Sequence, residues 1–402
     1  MMDPYFFSKI SEHMTVTDQT KVLIFNSKLI SRDLSWLKFN HRVLDQARHL
    51  DRTLLERLKF MAITGSNLDE FFMIRVGSLY NYIDYGKQRV DYSGLRERPF
   101  KKLLYHYTHE FTDEQRSLYH DQLAPEYEKN GIIIASVKDL NDEEKKKLKA
   151  YFKKTVFPML TPMVYDNYHP FPLLMNLLQI FAVITKSKSK AVKKKLSFIQ
   201  IPQNLPKFFE IERENMMVFV PITEVIKAHI NKLFRNIEID SLSLFRLTRN
   251  GDFTLEESDD IEANFLEELK QKLKTRKTGR VVRIEVQEGF DPWLKSVLMN
   301  RWDLSEEDIF KKPHGDLMDY TALWQIVNHD EFKASQPKPP KQSMPLLYPD
   351  DGDDDIFEVL KSKDILMHHP YNNMDLLIDL LEKSAEDPGV LSIKLTVYRL
   401  AK

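Results

Sequence analysis

Near residue 130 the spacing of apolar side chains changes from helical to alternating, and that change constrains the fold more than any other feature of the chain. Trp36, Phe39, Val43, Leu44 and Ala47 recur at three- and four-residue steps, with Ser35 or Asp33 placed to cap the first turn. Leu54, Leu55, Leu58, Met61 and Ala62 repeat the pattern, as do Leu68, Phe71, Phe72, Val76, Leu79 and Tyr80, and then the stretch 103–123. Each stripe needs another helix to cover it, so residues 27–130 are expected to form a helical bundle. Residues 1–26 show no clear period and read as an N-terminal extension.

Short runs rich in β-branched and aromatic residues follow at 131–137, 178–185, 197–201, 217–220, 242–247 and 281–286, with helical stretches at 223–234 and 261–273. Asn250-Gly251 between 242–247 and 253–255 is the signal of a two-residue hairpin. Residues 131–335 therefore read as an α+β domain with a mainly antiparallel sheet. Pro337, Pro339, Pro340, Pro345 and Pro349 then interrupt any regular element and mark a connection. Beyond it, 353–360, 374–381 and 391–398 give helix, helix and strand, the beginning of an α/β unit within 336–402.

A chain of 402 residues exceeds the size at which one core keeps growing, roughly 250 to 300 residues, so two or three domains are expected. A net charge of -1 offers no overall attraction for a polyanion; any phosphate-binding surface has to come from local segregation of Lys and Arg. The absence of cysteine excludes disulfides, thiolate metal sites and cysteine nucleophiles. The longest nearly uncharged stretch, 171–185, is shorter than the roughly 20 residues a membrane-spanning helix needs. No P-loop, kinase glycine loop or HExxH pattern occurs.

Several residues carry possible chemistry. Asn67 follows Gly65-Ser66 at what reads as the start of a helix, and Asn67 with Glu70 has the spacing of a capping-box variant. Arg399 stands at the end of the strand-like 391–398, where a solvated strand end is the plain alternative to a phosphate contact; Lys394 and Tyr398 share that run. His368-His369 precedes Pro370 and reads as a strand end or turn, and His314 as a loop residue without a second ligand at metal spacing. The basic runs 186–195 and 271–283 either guide a polyanion or are solvated hairpin tips and helix ends; few aromatics interleave with them, so nucleic acid is not expected as a partner. The acidic run 350–355 lacks the pattern of a calcium loop.

Two segments resemble those of a known family. SRDLSWLKFNHRVLDQARHLDRTLLERLKFMAITGSNLDEFFMIRVGSL, residues 31–79, resembles the opening domain of the bacterial polyphosphate kinases, and DILMHHPYNNMDLLIDLLEKSAEDPGVLSIKLTVYR, residues 364–399, the start of their first catalytic domain. The resemblance implies a multidomain α+β chain: an N-terminal helical bundle, an α+β head domain and the start of a phospholipase D-like α/β domain. It implies reversible transfer of the terminal phosphate of ATP to inorganic polyphosphate through a phosphohistidine, with Mg2+ as cofactor, ATP and ADP as nucleotides, and a homodimer or homotetramer as the assembly.

Asn67 matches the adenine-contacting asparagine of the family's SNLDEFF-type motif; a carboxamide supplies both the acceptor and the donor that the N6 and N7 edge of adenine requires. Arg399 matches the arginine at the family's metal and phosphate site, where a guanidinium, having only donors, grips phosphate oxygens beside Mg2+ and does not ligate the ion. The family's histidine lies in an HxK motif, and no His-x-Lys occurs here, so the chain is expected to be the front half of an enzyme and inactive alone. Asn372-Asn373-Met374 departs from the family's more usual polar-Ser-Phe. The implied location is cytoplasmic, with peripheral attachment at the inner face of the membrane left open. So is a noncatalytic nucleotide-binding or oligomerisation module.

Overall fold

The computed structural model describes residues 31–84, 97–166, 169–186, 194–251, 279–335, 355–369 and 371–397. They belong to two compact units divided between Gln336 and Pro337.

In the first unit, helix α1 (Arg32–Gln46) is capped by Ser31, whose hydroxyl accepts from the Leu34 N–H at 3.4 Å; Asp33 and Ser35 lie inside its first turn and do not cap it. Helix α2 (Leu54–Phe71) opens on a capping box in which Thr53 and Glu56 satisfy each other's backbone N–H. It then runs unbroken through Gly65, Ser66 and Asn67, so the expected helix start at Asn67 is wrong. Packing overrides weak propensity there: the Gly65 Cα side faces Tyr320 and Thr321, and Ser66 turns its hydroxyl back onto the Ile63 carbonyl at 3.0 Å. A π turn, Phe72–Val76, joins α2 to α3 (Gly77–Asp84), and α4 (Glu97–Leu118) follows. Helix α1 packs against both α2 and α4. Leu37, Leu44, Leu58, Met61, Phe72 and Phe111 fill their common core.

Strand β1 (Ile132–Ile134), helix α5 (Asp142–Tyr151) and strands β2 (Met163–Tyr165), β3 (Gln179–Lys186), β4 (Lys194–Gln200), β5 (Phe208–Arg213) and β6 (Met216–Pro221) come next. They are followed by α6 (Ile222–Ala228), β7 (Ile239–Arg249), β8 (Val281–Gln287), α7 (Pro292–Trp302), β9 (Ile309–Lys312) and α8 (Leu323–Val327). The larger sheet has the order β2-β4-β3-β7-β8-β9 and is antiparallel except at β8-β9; the smaller, β1-β6-β5, is parallel only at β1-β6. Strand β3 is buried on both faces because its side chains alternate between two cores. Phe181 and Val183 face the layer containing Leu148, Val225 and Val218, while Ile180, Ala182 and Ile184 face Leu294 and Leu298 of α7.

The helical region and the sheet are welded together. Phe310 of β9, Tyr320, Leu323 and Ile326 belong to the same core as α1, α2 and α4. The expected two-residue hairpin at Asn250-Gly251 calls for a partner at 253–255, whereas the pairing of β7 among the described residues is made with other segments. Thr248 and Arg249 pair with Arg283 and Val281 of β8 on one side, and on the other the Leu247 carbonyl accepts from Leu177 and the Arg249 N–H donates to Asn176 Oδ1. Both edges of β7 are taken there; residues 253–255, like the expected helix at 261–273, lie outside the described residues. Asn250-Gly251 instead docks on the helical rod, with Asn250 Nδ2 donating to the Gly77 carbonyl at 3.2 Å and the Gly251 N–H to the Met73 carbonyl at 2.9 Å.

That docking requires Gly77, since a Cβ there would overlap the Asn250 amide and lie 3.2 Å from Asn250 Cβ. Gly77→Ala is expected to cost about 2 kcal/mol, because overpacking outweighs the gain of roughly 1 kcal/mol in helix propensity. A urea unfolding midpoint equal to or above that of the unsubstituted chain would contradict this.

The second unit contains α9 (Ile356–Ser362) and α10 (Asp375–Glu386). The expected strand at 391–398 is not one: 391–397 pair with no strand among the described residues, and Leu391, Ile393, Leu395 and Val397 are exposed. Alternating apolar residues make a strand only where a neighbouring edge takes up their N–H and C=O groups. Tyr398 and the connection 336–354 lie outside the described residues. No helix among the described residues is long and apolar enough to cross a membrane.

Candidate functional site

Asn67 sits half-buried on the second-last turn of α2, beside a polar layer where α1, α2 and α4 meet. Asn67 Nδ2 donates to Asn40 Oδ1 at 3.0 Å, and Asn40 Nδ2 donates to the Thr64 carbonyl at 3.4 Å. Thr64 is itself fixed: Gln115 of α4 donates to its hydroxyl at 2.8 Å, and that hydroxyl donates to the Met61 carbonyl at 2.7 Å. Asn40, Thr64 and Gln115 are all buried, and such a layer sets the register of three helices, because any slip strands buried polar atoms. Among the described residues the bond to Asn40 is the one hydrogen bond of the Asn67 side chain; its Oδ1 and second N–H remain for a ligand.

Two residues along the same helix, Asp69 enters a buried cluster of two arginines and two further carboxylates. Its carboxylate receives Arg246 of β7, with Nη1 at 2.8 Å from Oδ1, and Arg283 of β8. Glu285 accepts from Arg246 at 2.7 Å and lies 3.3 Å from Arg283, and Asp319 stands 3.9 Å from Arg246. Thr248 accepts from both Nε and Nη2 of Arg283, whose guanidinium also lies over the Phe72 ring. All of these side chains are buried. Burial by itself would push the Asp69 carboxyl up, but Arg246 and then Arg283 hold it below the usual carboxylate range. Burial likewise works against the Arg246 charge, and Asp69, Asp319 and Glu285 overcome it.

Sequence reasoning stopped at Asn67 and missed Asp69, although both stand in SNLDEFF. The arginines that pair with Asp69 are far away in the chain, on two different strands, and only the sheet's register brings them together at Thr248↔Arg283 and Arg246↔Glu285.

A second buried carboxylate, Asp308, joins the helical rod to the sheet just before β9. Tyr80 of α3 donates to it at 2.8 Å, Lys101 of α4 lies 3.0 Å away, and it accepts from the Ser305 N–H at 2.8 Å and hydroxyl at 2.9 Å. Burial would lower the Lys101 ammonium, but Tyr80 and Asp308 hold it above its ordinary value. Tyr105 donates to the Val282 carbonyl, so β8 is held by α4 as well.

Arg399 lies outside the described residues, and Lys394 is exposed in the second unit. His368 and His369 form a turn: the Asn372 side chain accepts from the His368 N–H at 2.8 Å, and the Asn372 N–H donates to the His368 carbonyl. The backbone N–H of His314 donates to Glu288 at 3.4 Å in the loop after β9. Residues 187–193 of the first basic run and 271–278 of the second are outside the described residues. Among the described residues no three His, Asp or Glu side chains stand together as metal ligands; Asp69, Glu285 and Asp319 are engaged by arginine.

Three family models match the chain: "Polyphosphate kinase N-terminal domain" over residues 29–135, "Polyphosphate kinase middle domain" over 143–326, and "Polyphosphate kinase C-terminal domain 1" over 355–402. The chain is 35% identical over 381 residues to a polyphosphate kinase of Halalkalibacterium halodurans, covering 92% of this chain and 52% of that one. It is 33% identical over 388 residues to that of Helicobacter pylori, covering 94% and 55%. It thus spans about half the length of these relatives. A solved polyphosphate kinase from Porphyromonas gingivalis shares the fold, with a TM-score of 0.67 at 20% identity over 89% of this chain and 50% of that one.

Proposed function

Because the chain belongs to the polyphosphate kinase family, we propose that it supplies the nucleotide-contacting part of a phosphotransferase that moves the terminal phosphate of ATP reversibly onto inorganic polyphosphate. The observation that carries this reading is Asn67: a carboxamide held by one hydrogen bond to Asn40, with an acceptor and a donor left over, the pair an adenine edge takes. Arg399, from its match to the family's metal and phosphate site, is proposed to bind phosphate oxygens beside Mg2+. Mg2+ is proposed to sit on the nucleotide's phosphates, since the described residues offer no ligand cluster of their own. A phosphohistidine would split transfer between two polyanions into two displacements, but the family's HxK matches no position of this chain.

On the same footing we propose the division into 1–26, 27–130, 131–335 and 336–402, a homodimer or homotetramer, and a cytoplasmic location with optional peripheral attachment to the membrane. Titration calorimetry with Mg-ATP tests the central assignment. Asn67→Ala is expected to weaken ATP binding about tenfold, the loss of one or two hydrogen bonds to a base. Equal affinity in the two proteins would remove Asn67 from the nucleotide site.

A further inference from the structure

An asparagine amide can present either its oxygen or its nitrogen outward, and the surrounding hydrogen bonds decide which. The decision for Asn67 begins three residues earlier on α2. The Thr64 carbonyl can only accept, so the amide of Asn40, fully buried at 0% exposure, must turn Nδ2 toward it. Asn40 Oδ1 is thereby aimed at Asn67, and an oxygen there can only accept, so Asn67 must offer Nδ2. Flipping Asn67 would set two amide oxygens against each other 3.0 Å apart. Flipping Asn40 to relieve that would set its oxygen against the Thr64 carbonyl. Rotation of Thr64 cannot release the chain of constraints, since its carbonyl belongs to the helix backbone and its hydroxyl is held by Gln115 and Met61. Asn67 therefore keeps Oδ1, with one remaining N–H beside it, for whatever approaches from solvent.

We propose that Asn40 is a specificity-determining residue, which locks the Asn67 amide so that the site accepts adenine and rejects guanine. At position 6 of the purine, adenine carries an amino donor and guanine a carbonyl acceptor. A locked Oδ1 accepts from the first and repels the second for a base seated in the same place, whereas an amide free to rotate accommodates both. Asn40 touches no ligand and acts through Asn67. The proposal rests on the reading of Asn67 as the base contact.

The test is calorimetric titration of the full chain and of its Asn67→Ala, Asn40→Ala and Asn40→Asp variants with Mg-ATP and with Mg-GTP, each protein's fold being checked by circular dichroism and thermal unfolding. The unsubstituted chain is expected to prefer ATP by about tenfold or more, the scale of one mismatched polar contact. Asn40→Ala frees the Asn67 amide and is expected to bring the two affinities within about threefold, mainly by improving GTP. Asn40→Asp retains the ATP preference, because its buried carboxyl, protonated, donates its O–H to the Thr64 carbonyl in place of Nδ2 while its other oxygen still accepts from Asn67. If Asn67→Ala loses the preference while Asn40→Ala keeps it in full, the lock is overturned and the Asn67 reading stands. If the unsubstituted chain binds no ATP, or Asn67→Ala changes neither nucleotide, the Asn67 reading falls and the lock with it. Should Asn40→Ala fail to fold, Asn40→Leu, of similar bulk and without an acceptor, takes its place: affinities within about threefold uphold the lock and a full ATP preference overturns it, as does a folded Asn40→Asp that binds both nucleotides equally.

Discussion

Asp69→Ala is expected to destabilise the first unit by about 3 kcal/mol, read as a lower urea midpoint with an unchanged slope. Removing one partner of a buried ion pair usually costs about 3 to 5 kcal/mol, because the charge left behind is neither solvated nor neutralised. Here the low end applies: Glu285 and Asp319 still face Arg246, and Glu285 still faces Arg283. The pairing also has a pH signature whose sign follows from the direction of the shift. Folding lowers the pKa of Asp69, so its contribution is complete above the unfolded carboxylate value near 4 and drains away as pH falls through the lower, folded value. Asp69→Asn should therefore lose less stability than the parent between about pH 4 and pH 2. An acid limb of unchanged steepness would show that Asp69 is not held ionised by the two arginines.

Asp308→Ala is expected to cost a comparable amount, about 3 kcal/mol, for a different reason. One fully buried carboxylate collects the Tyr80 hydroxyl, the Lys101 ammonium and two groups of Ser305. Alanine leaves the Tyr80 hydroxyl without its acceptor and unwinds the short turn that Ser305 and Asp308 close upon each other. Lys101 keeps Glu307 at 2.9 Å, which limits the loss. Asp308→Asn, retaining an acceptor but no charge, should fall between the two proteins in chemical denaturation. Asn and Ala variants of equal stability would mean that the charge, not the hydrogen-bond count, sets the cost.

The secondary structure was legible where one face of an element meets one kind of neighbour. The alternation of Phe181 and Val183 against Ile180, Ala182 and Ile184 marks β3 because two different cores take the two sets. It was illegible where tertiary contact decides. Gly65-Ser66-Asn67 has the composition of a break, yet α2 continues because Tyr320 and Thr321 pack on Gly65 and Thr53 already supplies the cap. Asn250-Gly251 has the composition of a hairpin, yet both edges of β7 are occupied. For residues 391–397 the pattern is that of a strand, and the neighbour that would make it one is not among the described residues. At the candidate site, the motif containing Asn67 could be read directly, whereas Asn40, Gln115, Arg246 and Arg283 acquire meaning only when helices and strands distant in sequence are brought side by side.

The most direct measurement is a crystal structure of the chain with Mg2+ and a non-hydrolysable ATP analogue. The account predicts the adenine amino group within roughly 3.2 Å of Asn67 Oδ1, with Asn67 Nδ2 still donating to Asn40. Adenine seated away from Asn67 would contradict it.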